Sequence, residues 1–202
     1  MSYMYTVLAS MGDPQGFADA GSTWAGDRMR ELGATDLTAS QIIMGGEMSG
    51  LVIVGFQFES IDAAMAGQAG IYQDAEMLNM MRETQVSVNR RVLFRIQGER
   101  GERTGQYGSV IYLAGRPIDD ATAEANIDHS WKTIQEGANG MMGLAVVAAG
   151  PAQFAGTVVT STDSLDALIA ASAKNFADPE LAKRMSDQGW GVVGRVMMKR
   201  LI

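Results

Sequence analysis

Three arginines and two aromatic residues are the side chains best suited to chemistry in this chain: Arg28, Arg91, Arg195, Trp24 and Tyr112. A guanidinium keeps its charge and presents a planar fork of donors, which suits a carboxylate or an oxyanion. A nearby phenol could then pass a proton. Arg28 falls on the helical stripe that carries Phe17, Gly21, Trp24, Ala25 and Leu32. Left buried and unpaired there, it would cost several kcal/mol. It therefore either runs its stem to the surface and pairs with Glu31 or Asp27, or anchors an acidic or enol-like ligand beside Trp24. Arg91 and Arg195 lie on two strands at matching places. Period-two alternation puts Val86, Val88, Val92 and Phe94 on one face, and Ser87, Asn89, Arg91, Leu93 and Arg95 on the other. Both arginines either tie two halves of the molecule together or bind a ligand. Tyr112 stands where the matching position holds Leu8, so its hydroxyl enters one half only. It is either a core tyrosine bonded to a carbonyl or a group belonging to a site.

Other chemistries are poorly supplied. The chain has no cysteine, hence no thiolate nucleophile or thiolate metal site. Its one histidine, His129, projects away from the apolar face made by Ala123, Ile127, Ser130, Trp131, Ile134 and Ala138, and is expected to face solvent beside Lys132 and Glu136. Glu124 and Asp128 are one helical turn apart but lack a histidine or thiolate to complete a transition-metal site, so no metal is expected. Gly45 and Gly46 join two strands and form no phosphate loop. A net charge of −7 argues against a nucleic-acid partner. The longest apolar run, residues 141–149, is too short to cross a bilayer, and no secretory signal opens the chain. No membrane partner is expected, and a cytoplasmic location is the default. The 15 methionines either fill gaps in the core or line an adaptable apolar pocket.

The elements that must position these residues occur twice. An offset of 104 residues (107 − 3) lays Tyr107 on Tyr3, Gly137 on Gly33, Ser164 on Ser60, Asp166 on Asp62, Asp178 on Asp74 and Arg195 on Arg91 without a gap. An unbroken offset keeps each strand residue on the same face in both copies. Each copy reads as a strand (3–10, 107–114), a helix (15–32, 120–136) closed by Gly33 or Gly137 at positive φ, and two strands (37–44 then 51–58, 141–149 then 156–162). A helix capped by Ser60 or Ser164 follows, then a short helix from Asp74 or Asp178, and a last strand (86–96, 190–201). The fold expected is α+β, a tandem duplication of a βαββαβ unit. The halves are 1–98 and 105–202, joined by a polar linker over 98–106.

The βαββαβ order, with Phe58-Glu-Ser-Ile-Asp-Ala-Ala-Met-Ala and Thr162-Asp-Ser-Leu-Asp-Ala-Leu-Ile-Ala entering the second helix, resembles the dimeric α+β barrel superfamily of antibiotic-biosynthesis-monooxygenase-like, ferredoxin-like domains. The resemblance implies two antiparallel sheets paired into a barrel within one chain, with helices outside. Haem-degrading relatives carry an Asn, Trp and His set with the histidine on the second helix; this chain has none there, and no cofactor is expected. Three classes of function stand. The first is a cofactor-free monooxygenase, cyclase or isomerase acting on a small apolar or weakly acidic molecule, with an arginine for the oxyanion and a tyrosine for the proton. The others are a ligand-binding protein without chemistry, and a structural or assembly module. Ligand contacts are expected from Arg28, Trp24, Tyr112, Arg91 and Arg195, and association into a homodimer is open.

Overall fold

The computed structural model describes residues 1–202 and contains eight strands and seven helices, an α+β fold. Two compact units emerge. The first comprises residues 1–95, 147–149 and 199–202, and the second residues 96–146 and 150–198.

In the first unit the elements run β1 (Tyr3–Ser10), α1 (Pro14–Gly21), α2 (Trp24–Glu31), β2 (Asp36–Met44), β3 (Val52–Phe58), α3 (Ile61–Ile71), α4 (Ala75–Glu83) and β4 (Ser87–Gly101), the last leaving the unit after Arg95. The sheet is antiparallel, ordered β4-β1-β3-β2, with Tyr5 opposite both Phe56 and Leu93. One sheet face and the helices enclose a core of Tyr5, Met29, Val54, Phe58, Met77 and Leu93. Instead of one helix over 15–32 there are two. The Thr23 hydroxyl donates to the carbonyls of Asp19 (2.8 Å) and Ala20 (3.2 Å), taking up acceptors that the next turn would have used.

The alternation expected along β4 fails at one point. Leu8 pairs with Arg90 but Ala9 pairs with Val88, which leaves Asn89 as an extra residue. Such a bulge reverses the phase of the strand. The Asn89 side chain then accepts from the Ser10 amide at 2.9 Å. Val88 and Arg91 therefore share the helix-facing side, and the two-face assignment above holds only on either side of the bulge.

The second unit runs β5 (Tyr107–Ala114), α5 (Asp120–Ile134), β6 (Gly140–Ala148), β7 (Gly156–Thr162), α6 (Leu165–Phe176), α7 (Pro179–Gln188) and β8 (Gly191–Arg200), with sheet order β8-β5-β7-β6. Its core gathers Ile127, Ile134, Met141 and Leu168. The polar stretch 98–106 is no free linker. β4 continues to Gly101, Arg100 pairs with Glu124 and Asp128 of α5, and the Glu102 amide donates to the Asn139 carbonyl at 2.8 Å.

Helix starts follow the caps. Ser60 and Ser164 accept from the amides of Ala63 (3.0 Å) and Ala167 (3.2 Å), and Asp74 and Asp178 cap α4 and α7. Gly33 takes φ +92° as expected, whereas Gly137 does not adopt positive φ. Glycine is needed at 137 for a different reason: a Cβ there would lie 2.2 Å from the Ala167 carbonyl oxygen. No helix is long and apolar enough to cross a membrane.

Candidate functional site

Each unit holds a cavity between its sheet and its helices. In the first unit it measures about 70 Å³ and is walled by apolar side chains, among them Val7, Phe17, Met29, Val54 and Met77. Four polar side chains meet it: Tyr5 from β1, Gln68 from α3, Tyr72 just after α3, and Arg91 brought round by the bulge in β4. The Arg91 Nη2 donates to the Tyr72 hydroxyl at 2.5 Å, with the guanidinium carbon 5.8 Å from the Tyr72 ring centre. Tyr5 stacks on Phe56, centroids 6.4 Å apart. Burial pushes the Tyr5 phenol above the ordinary tyrosine range, while Arg91 pulls it partly back. The hydrogen bond to Tyr72 and the two phenols hold Arg91 firmly protonated.

The second unit's cavity is larger, about 130 Å³, and its walls include Ile111, Leu144, Val158, Leu181 and Trp190. Many lining positions repeat those of the first unit at the same offset: Val7 and Ile111, Val54 and Val158, Met81 and Met185, Arg91 and Arg195. Both phenols are missing. Ser109 replaces Tyr5 (5 + 104) and Phe176 replaces Tyr72 (72 + 104). Arg195 therefore stands differently from Arg91. Its Nη2 donates to Ser172 Oγ at 2.8 Å, its buried Nε has no partner, and no carboxylate pairs with it. Burial pushes its pKa down. Asn175, on α6 and 7% exposed, also faces the cavity with its Oδ1 unpartnered. At the rim Asn126, Arg184 and Gln188 hydrogen-bond to one another.

Of the residues singled out from sequence, Arg91 and Arg195 line the cavities between sheet and helices, one in each unit; the other three do not line these two. Arg28 reaches the surface and pairs with Glu31 (2.6 Å) and Asp74 (2.8 Å), the latter linking α2 to the start of α4. Trp24 packs partly buried against the first unit's core and helps to line a separate cleft with Asp13, Glu76 and Glu83. Tyr112 lies on the opposite face of β5 from Ile111 and Leu113, edge-on to Phe154 at 5.1 Å.

His129 is a correction. Far from facing solvent, it is 13% exposed, covered by the start of α7, with Nε2 2.5 Å from Asp178 and Nδ1 3.7 Å from Glu180. A helical projection finds the side turned to the sheet but cannot see a second helix packing from the flank. Backbone amides at the start of α7, with His129 second, draw the Asp178 pKa down. Tyr5, Tyr72 and Asn175 were missed. The 104-residue offset marks all three at 5/109, 72/176 and 71/175, because at each pair one residue is polar where the other is smaller or apolar. No histidine lines either cavity, so a haem held through histidine does not fit.

No family model matches the chain and no curated protein is similar to it. Solved structures do resemble it over its whole length. A candidate monooxygenase of Fusobacterium nucleatum is 11% identical with a TM-score of 0.64, covering 100% of this chain and 93% of its own. An anthrone oxidase-like protein is 12% identical with a TM-score of 0.57, covering 98% and 91%. A chlorite dismutase variant of Candidatus Nitrospira defluvii, solved with cyanide, is 8% identical with a TM-score of 0.58, covering 98% and 90%. At such identities the likeness concerns the fold, and all three share one. The chain shares the fold of these three proteins, a dimeric α+β barrel fold.

Proposed function

We propose that the protein is a cofactor-free enzyme that oxidises a small, apolar, enolisable or phenolic molecule in the cavity of its first unit. One observation carries this reading: a single guanidinium, Arg91, sits with two phenols, Tyr5 and Tyr72, on the wall of a cavity whose other lining is apolar apart from Gln68. The substrate's rings pack on methionine and phenylalanine, and its oxygen meets Arg91. A fixed cation in a site of low dielectric favours the enolate or phenolate form. Solvent water reaching the Tyr72 hydroxyl, whose residue is 41% exposed, takes the proton, while Tyr5, kept neutral by burial, donates a hydrogen bond to the developing oxyanion.

The resulting carbanion reacts with dioxygen. For a ring methylene, CH2 and O2 become C=O and H2O: four electrons leave carbon, one oxygen atom enters the product, and the other leaves as water. Monooxygenase and anthrone oxidase-like neighbours support this class of reaction. The common offset and the equal sheet order of the two units support a duplicated ancestry.

Anthrone serves as the probe, with quinone absorbance and oxygen uptake followed together. One O2 should be consumed per quinone formed. Arg91→Met should lower kcat about 100-fold, and Tyr5→Phe by at least about 10-fold. Wild-type turnover by Arg91→Met, or a wild-type rate no faster than buffer, would reject the reading.

A further inference from the structure

We propose that the second unit's cavity is a separate binding site for an apolar organic acid, a carboxylate with a hydrogen-bond donor beside it, seated on Arg195 and Asn175. The argument begins with charge. No aspartate or glutamate lines this cavity, so the buried side of the Arg195 guanidinium has no counter-ion, only the Ser172 hydroxyl at 2.8 Å. A buried donor on a cation is costly to leave unpaired. In the first unit the matching arginine is satisfied by the phenol of Tyr72; in the second that position is Phe176, which cannot accept a hydrogen bond. A bound ligand would supply the missing acceptor.

Asn175 adds the second half of the recognition. Its amide makes no hydrogen bond within the protein, and the buried Oδ1 calls for a donor. A bare carboxylate would satisfy Arg195 and leave Asn175 unanswered, whereas an acid with an adjacent hydroxyl answers both. Space for the rest comes from Ser109, fully buried where the first unit places Tyr5. The apolar wall of Ile111, Leu144, Val158, Leu181 and Trp190 asks for a hydrophobic body. The two cavities thus share a frame and differ in what they offer their arginine. The first supplies a neutral phenol as acceptor; the second leaves the buried Nε without one.

The test uses 1-hydroxy-2-naphthoate, read by calorimetry and by quenching of Trp190 on the cavity wall. On the wild-type protein, 1-naphthol, which lacks the carboxylate, should bind about 30-fold more weakly. This comparison needs no variant. Arg195→Met should weaken the acid about 30-fold and Asn175→Leu about 10-fold, the latter also erasing the preference over 2-naphthoate. Melting temperatures check that each variant is folded. Arg91→Met should bind the acid as the wild type does, so loss of turnover in the first unit leaves this result standing. No binding by the wild type up to about 1 mM, equal affinity for 1-naphthol, or unchanged affinity in Arg195→Met would overturn the proposal. Equal damage from Arg91→Met would also overturn it, by moving the acid to the first unit.

Discussion

Arg91 and Arg195 face one physical difficulty and resolve it in different ways. Each guanidinium is carried by a strand into an apolar space, but only Arg91 finds a phenol there. Arg195 retains an uncompensated donor, so the protein without ligand gives up stability at that point. Replacing it by methionine, similar in length and without charge, should raise the melting temperature by a few degrees. Calorimetric unfolding checks this, and an unchanged or lower melting temperature would mean that the guanidinium is better solvated than its surroundings indicate. The sequence pointed to both arginines because they fall at matching places on two strands 104 residues apart. They did not reveal which arginine was free, since that depends on residues 72 and 176, distant in sequence from either arginine and unremarkable in isolation.

At the scale of elements, helix caps and hairpins were legible because they depend on neighbours in sequence. Ser60, Ser164, Asp74 and Asp178 all accept the amides that their positions predict. The departures arise where a distant group intervenes. The bulge at Asn89 turns Arg91 toward the helices, and α7 covers His129 from a side that no periodicity within α5 records. Gly33 and Gly137 show the same contrast, for they end equivalent helices under different constraints. Gly33→Ala meets no atom within 4 Å but is held at φ +92°, a loss of about 1 kcal/mol. Gly137→Ala drives a Cβ against the backbone of α6, while the Gly137 carbonyl is held by Thr162 Oγ1 at 2.7 Å. Its cost should be larger, about 3 kcal/mol. Urea unfolding of the two variants in parallel gives the order directly.

The molecule as a whole carries a net charge of −7, yet each proposed ligand approaches as an anion or becomes one. Long-range repulsion should therefore slow association at low salt and weaken as the Debye length shrinks from about 30 Å at 0.01 M to about 8 Å at 0.15 M. Stopped-flow quenching with 1-hydroxy-2-naphthoate should show the association rate rising about two-fold across that range; a falling rate would mean that local positive charge dominates the approach. Element order was read from sequence because alternation, caps and turns recur along the whole chain. The exchange of residues 147–149 and 199–202 into the first unit was not, since no local pattern marks it. That exchange bears on synthesis. The amides of Leu201 and Ile202 both donate to the Ala39 carbonyl, at 2.9 and 3.1 Å, and their side chains complete the first unit's core. A ribosome that has released β1 to β4 has therefore not yet supplied every residue that this core requires. The amino-terminal half gains the last of its packing only once Leu201 and Ile202 have been made.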